Sequence, residues 1–371
     1  MTTDSGTTTG SAWLRWLIGG LVFIAATIIG ALTVDQVSDG TFDPNTGAVM
    51  TAANSFALIL AIAMLLGSAT AFSIEWFQTG RLASISGQFT RRVIVLMPVA
   101  IAINIVLGQT VAAALKIPIY LDSIGTILVG VLAGPIAGAA TGILANILWA
   151  YVIPPPFQYP PAAAFAIVAG VIGIMAGIAG RIGIFRPRPN RSTGQLVIGG
   201  LITAGLIIGL GWLASVGYEL IFATDITFAP TGGDPLFQVL AWLALVLVLA
   251  AVVGVFALLF IRRDLSAAYV AVAGVTTGIV AALISAPIAA GVFGGVTGAG
   301  TDFLVAAFRQ AGLDIYAATT GQGLISDPID KTTTFVIVYL ILIALAVRFK
   351  ARFPQGERLL PADEDVGEEP S

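Results

Sequence analysis

Apolar residues run in long blocks from residue 13 to residue 347, broken by short segments where Arg, Asp, Gly and Pro collect. A helix needs about 20 apolar residues to cross the hydrocarbon of a bilayer, whereas a membrane β-barrel alternates apolar and polar positions in shorter strands. The pattern predicts ten helical spans, at residues 13–34, 52–74, 93–115, 122–133, 135–153, 162–179, 195–217, 235–261, 266–290 and 332–347. The fourth is short. It rises about 18 Å at about 1.5 Å per residue against a hydrocarbon core of about 30 Å, so buried neighbours must complete it or the bilayer must thin there. The expected fold class is an all-α, multi-pass integral membrane protein.

Composition agrees, with 57% hydrophobic and only 10% charged residues against about 25% charged in soluble domains. A soluble globular enzyme is excluded. With neither Cys nor His in the chain, disulfides, thiol nucleophiles, Cys/His zinc sites and histidine relays are excluded together. No GxxxxGK[ST] loop occurs, so this polypeptide is not expected to hydrolyse nucleotide. Neither catalysis, a cofactor nor a nucleic-acid partner is expected.

Charge placement gives an orientation. Of the 17 Lys and Arg residues, 14 fall on one face of a ten-span chain: Arg15, Arg81, Arg91, Arg92, Arg181, Arg186, Arg188, Arg191, Arg262, Arg263, Arg348, Lys350, Arg352 and Arg358. Positive residues are retained in the cytoplasm, so a location in the cytoplasmic membrane with both termini inside is expected. The other face holds Lys116, Arg309 and Lys331 among Asp35, Asp39, Asp43, Glu219, Asp225 and Asp234. Residues 1–12 carry no positive cluster, so the first block is expected to stay as a helix and not to be cleaved as a signal. The end, 350–371, with Glu357, Asp363, Glu364, Asp365, Glu368 and Glu369, reads as a solvated tail.

The charge blocks divide the chain into a helical pair (13–92), a Gly- and Pro-rich four-helix unit (93–191), a second pair (192–263) and a further unit (264–349). Glycines recur at helical spacing at 134, 138 and 142, at 170, 173, 177 and 180, and at 274 and 278; such rows allow close helix approach, within this chain or to a partner. Residues 285–330 read as an irregular loop packed over an outer-face pocket.

Polar and aromatic residues gather on the predicted outer side. Tyr120, Asp122, Ser123 and Thr126 open the short helix; Asn146, Trp149 and Tyr151 end its partner; Phe157, Gln158 and Tyr159 lie in a proline-bracketed loop; Gln322, Asp327, Asp330 and Lys331 precede the last span. Aromatic faces with a few amides and charges suit a flat heterocycle in a concave site. Trp149, Tyr159 and Phe157 would wall it, Asn146, Gln158 and Gln322 would direct hydrogen bonds, and Asp122, Asp330 or Lys331 would answer its charge. Plainer readings stand beside this. Tyr120, Trp149, Tyr151 and Tyr159 fit an interfacial belt equally well; Asp122 and Ser123 fit a helix cap; Asp330 and Lys331 fit a structural ion pair, and Asp327 an N-cap beside Pro328. Asn146 fits a helix–helix hydrogen bond as well as a ligand contact, and Asp302 and Arg309 fit a solvated loop.

The run Ile117-Pro118-Ile119-Tyr120-Leu121-Asp122-Ser123-Ile124-Gly125-Thr126, followed by Leu132-Ala133-Gly134-Pro135-Ile136-Ala137-Gly138 and Gly142, resembles the substrate-binding S component of energy-coupling factor transporters. Ser285-Ala286-Pro287-Ile288-Ala289 with Gly294-Gly295, and Ser326-Asp327-Pro328-Ile329-Asp330-Lys331, resemble the fifth and sixth helices of those proteins. The resemblance covers roughly residues 93–183 and 266–348. It implies a six-helix core that captures a vitamin or similar nutrient from outside and topples within a complex of a transmembrane scaffold subunit and two ATP-hydrolysing subunits. The family's Ala-x-x-x-Ala docking motif has no counterpart, since residues 93–104 offer only Ala100 and Ala102; the glycine rows are a candidate substitute. The four further helices have no role that the resemblance supplies. Among rivals, a secondary transporter calls for ionisable groups deep in its helices, whereas here they fall at predicted helix ends. A sensor calls for an output domain, and only 24 residues follow residue 347.

Overall fold

The computed structural model describes residues 9–33, 52–110, 119–155, 157–188, 191–222, 250 and 253–361. All regular structure among them is helical. The main helices are α1 (Thr9–Thr33), α2 (Ala52–Thr79), α3 (Arg91–Thr110), α4 (Ile124–Ala133), α5 (Pro135–Tyr151), α6 (Ala166–Arg181), α7 (Thr193–Phe222), α8 (Ser266–Phe293), α9 (Asp302–Gln310) and α10 (Ile315–Ala344). Three stretches are long and apolar enough to cross a membrane, Arg91–Gln109, Thr193–Leu210 and Ser266–Phe293; the apolar helices Leu14–Gly30, α4, α5 and α6 are shorter. Leu21, Leu65, Val95, Leu201, Ile208 and Leu283 point outward, an apolar exterior larger than water-facing surfaces carry. Most of the predicted span 235–261, the end of span 93–115 with Lys116, and the Ile117-Pro118 start of the resemblance lie outside the described residues. So do residues 1–8, Asp35, Asp39, Asp43, Asp225, Asp234 and the acidic residues from Asp363 onward.

Glycine rows set the closest crossings. A Cβ on Gly173 of α6 would lie 2.3 Å from the backbone carbon of Gly138 in α5, one on Gly177 2.3 Å from the Pro135 nitrogen, and one on Gly278 of α8 2.4 Å from Pro328 Cα in α10. In lipid such close backbone approach supplies the packing that hydrophobic burial supplies in water. The rows are therefore occupied within this chain and are not left for docking a partner. Ala100 is likewise buried against α4, where a Cβ on Gly125 would meet its carbonyl at 2.1 Å, while Ala102 faces out. Every residue of α4 is buried, so the short helix is completed by its neighbours, as its length requires.

Three expectations are corrected. The last helix is not confined to 332–347: α10 starts at Ile315 and carries Pro328 inside it. Its start is fixed by Asp314, whose side chain accepts from the Ala317 N–H at 2.9 Å, and the first half stays helical because α8 packs along it. Consequently the irregular loop expected over 285–330 shrinks to residues 294–301, the short α9 and a turn at 311–314. Asp327, Asp330 and Lys331 lie mid-helix, not at a helix end, and Asp327 is no N-cap. Finally, the chain up to Pro361 is not a solvated tail. Phe353, Leu359 and Leu360 are buried, the Gln355 N–H donates to the Leu132 carbonyl at 2.9 Å, and Gln355 Nε2 donates to the carbonyls of Gly130 and Gly177.

The arginines meet at one end. Arg358 donates to the Arg181 carbonyl, Arg186 to the Leu360 carbonyl, Arg92 to the Arg352 carbonyl and Arg188 to the Ser266 hydroxyl. Helix direction places the C-terminus of α3, the N-terminus of α4, the C-terminus of α5 and the N-terminus of α6 at the other end.

Candidate solute-binding site

At that other end lies a partly open cavity of about 90 Å³. Its lining comes from α3 (Gly108), the approach to α4 (Tyr120, Asp122, Ser123), α5 (Asn146, Trp149), α6 (Val168, Ala169, Ile172) with Phe165 before it, α8 (Ala281, Ser285, Ala289) and α10 (Gln322, Asp327, Lys331). Residues 295–302 and Tyr159 cover it. Among the described residues, none of α1, α2 and α7 contributes. The cavity volume is several times the about 10–15 Å³ that a single water needs.

The aromatic wall is held by its own polar edges. Trp149 and Tyr159 lie with ring centroids 5.1 Å apart. Trp149 Nε1 donates to the Phe157 carbonyl at 3.1 Å and to Gln109 Oε1 at 3.3 Å. Gly108 admits the indole, since a Cβ there would sit 2.6 Å from it. These bonds fix Trp149 inside the bundle, so it is no belt residue; Tyr151 is 70% exposed and takes no part in the cavity.

The covering segment is tied down twice. The Tyr159 hydroxyl donates to the Thr297 carbonyl at 2.9 Å, and the Tyr120 and Thr301 hydroxyls are 2.7 Å apart. Gly294, Gly295 and Gly298 have positive φ, which lets the chain fold back between α8 and α9. Asp302 accepts from Thr297 Oγ1 at 2.8 Å and from the Gly298 N–H at 2.7 Å. It lines the cavity instead of lying in a solvated loop, and burial raises its carboxyl above the ordinary aspartate value. Replacing Tyr159 by Phe is expected to speed amide exchange over residues 294–301 about two- to tenfold, matching a lost hydrogen bond of about 0.5–1.5 kcal/mol, without affecting α3. Unchanged exchange would mean that this hydroxyl does not restrain the segment.

The charged groups form a buried chain. Lys331 Nζ lies 2.5 Å from Asp330 Oδ2, 3.0 Å from Ser123 Oγ and 3.4 Å from Asp122 Oδ1. Asp330 Oδ1 accepts from the backbone N–H of Tyr120 at 3.0 Å and of Leu121 at 2.8 Å. Leu121 has φ 54°, a left-handed value that costs a bulky residue about 1–3 kcal/mol, and Asp330 holds it there. Ser123 precedes α4 without capping it by its side chain, because its hydroxyl serves Lys331.

Of the ten residues predicted for the site, Tyr120, Asp122, Asn146, Trp149, Tyr159, Gln322 and Lys331 line one cavity. Asp330 lies behind it. Gln158 is turned to the Ala150 carbonyl, to which its Nε2 donates at 2.8 Å, and the Phe157 carbonyl holds Trp149. Asn146 is the exception among the polar residues: it is 7% exposed, lines the cavity and makes no hydrogen bond among the described residues. Sequence reasoning undervalued Asp302, Ser285, Thr297 and Thr301; the first was dismissed for its loop, although an acid bracketed by glycines and threonines is the signal that could have found it. Asp327 accepts from Ser285 at 3.2 Å and from Ser326 at 3.4 Å.

No group of acids suited to a metal ion occurs among the described residues. The fold and cavity together define a protein that is helical throughout its described regular structure, with three helices long and apolar enough to cross a membrane and a polar and aromatic cavity between helices. Comparison with known families, with curated proteins and with solved structures finds no match to this chain.

Proposed function

We propose that this chain is the substrate-capturing subunit of an uptake transporter of the energy-coupling factor type. It is read as a ten-span protein of the cytoplasmic membrane with both termini inside. It takes a vitamin or similar small heterocycle from outside and is energised by separate scaffold and ATP-hydrolysing subunits. The observation that carries this reading is the cavity at the end opposite the arginines, lined among the described residues by α3, the approach to α4, α5, α6, α8, α9 and α10. These elements belong to the two stretches that the sequence resemblance covers. The Asn146 amide beside Trp149 and Tyr159, without a hydrogen-bond partner among the described residues, supplies what a flat ring needs for orientation.

The test is direct. Protein purified in lipid nanodiscs is expected to carry a small heterocycle identifiable by mass spectrometry, and to rebind it after removal. Asn146→Leu and Trp149→Ala are each expected to weaken binding about tenfold or more, the size of a lost directional hydrogen bond or aromatic contact. Wild-type affinity in both variants would sink the proposal.

One observation favours a second reading, secondary transport. Asp327, Asp330 and Lys331 sit in the middle of a long helix, where ion- or proton-coupled carriers keep such groups. Uptake abolished by an uncoupler while ATP is clamped would establish that reading and displace the first.

A further inference from the structure

The charges around the cavity do not balance. Asp122, Asp302 and Asp327 line it and Asp330 lies directly behind, against the single ammonium of Lys331 among the described residues. Lys331 is engaged chiefly by Asp330, at 2.5 Å, and reaches Asp122 only at 3.4 Å. Asp302 is answered by a backbone N–H and a hydroxyl at the start of its own helix. Asp327, 6% exposed, has two serine hydroxyls and no cation in contact. Hydroxyl donors offset only part of what a carboxylate loses on leaving water, so such a group takes up either a proton or a countercharge. Beside these acids stands Asn146, more than nine-tenths buried, open to the cavity and without a hydrogen-bond partner among the described residues. A buried amide left unpaired marks a place where a ligand completes the hydrogen bonding. Trp149 and Tyr159 add ring faces that attract positive charge.

Resting on the capture reading above, we infer that the solute is a small organic cation. It carries one flat ring with a positive charge that faces Asp327 and Asp122, a ring face against Trp149 and Tyr159, and a polar substituent that meets Asn146.

Three probes of nearly equal size separate charge from shape: 1-methylnicotinamide, a cation; nicotinamide, neutral; and nicotinate, an anion. Equilibrium dialysis against the full chain in nanodiscs is expected to show the cation binding at least about tenfold more tightly than nicotinamide, with nicotinate weakest. Asp327→Asn is expected to lower affinity for the cation about tenfold and to leave nicotinamide unchanged, which also shows that the variant is folded. Should that variant not fold, the three probes on the unaltered protein decide. Equal affinity for cation and neutral ring, or preference for nicotinate, overturns the cation while leaving the capture reading in place. Failure of all three to bind also overturns it, and the capture reading is then judged separately by the molecule carried through purification.

Discussion

Lys331→Met is expected to be among the most damaging single changes in this chain. It removes the only ammonium in contact with Asp330 and Asp122 among the described residues and leaves Asp330, fully buried, as an unpaired charge. Breaking a buried pair in this way costs about 3–5 kcal/mol. Loss is expected in the yield of monodisperse protein and in its melting midpoint, by on the order of ten degrees. The double variant Lys331→Met/Asp330→Asn is expected to recover part of that, since a neutral amide no longer needs the countercharge and its oxygen still accepts from Tyr120 and Leu121. A midpoint for Lys331→Met within a degree or two of the parent would refute the account of this cluster.

Gly173→Leu is expected to be comparably severe for a different reason. Already at Cβ it would meet the backbone of Gly138 and Ala139 at 2.3–2.4 Å, and backbone, unlike a side chain, cannot rotate away. The helices must separate, which opens the α4–α5–α6 contacts as well. Overpacking costs about 1–3 kcal/mol, and more where backbone must shift, so folded protein should be largely lost. Gly205→Ala in α7 is the control. A Cβ there meets nothing within 4 Å, and alanine's better helix propensity should leave the melting midpoint unchanged or slightly raised. If the two variants melt alike, the glycine rows do not set the packing.

Legibility from sequence followed the range of the physics. Helices were legible because lipid demands continuous apolar blocks, so the edges of α1, α2, α7 and α8 fall close to the block edges. Site residues were legible where chemistry is unusual for a membrane interior: an amide in the apolar helix α5, and Trp and Tyr beside it. What escaped was non-local. That 315–331 is helical follows from packing on α8, which no local pattern announces in a stretch containing Gly321, Gly323 and Pro328. The role of Asp330 was hidden because its partners, the backbone of Tyr120 and Leu121, are about 210 residues away. Ser123 and Asp122 read as a cap by local rules, and only the position of Lys331 shows that the serine serves another helix. The burial of Phe353, Leu359 and Leu360 was masked by the charges that surround them in sequence.

The segment beyond α10 has a consequence for transport. α4 is only 10 residues long, and its last carbonyls do not face lipid: they are met by Gln355, which also reaches α6. Helix and returning chain thus form one composite pillar beneath the cavity, its joint stitched by hydrogen bonds from Gln355. A solute moving from the cavity straight toward the arginine-rich end would run into this pillar. On the capture reading proposed above, delivery to that side therefore calls for tilting of the body as a unit, or for withdrawal of the returning chain, and not for a channel widening along the axis.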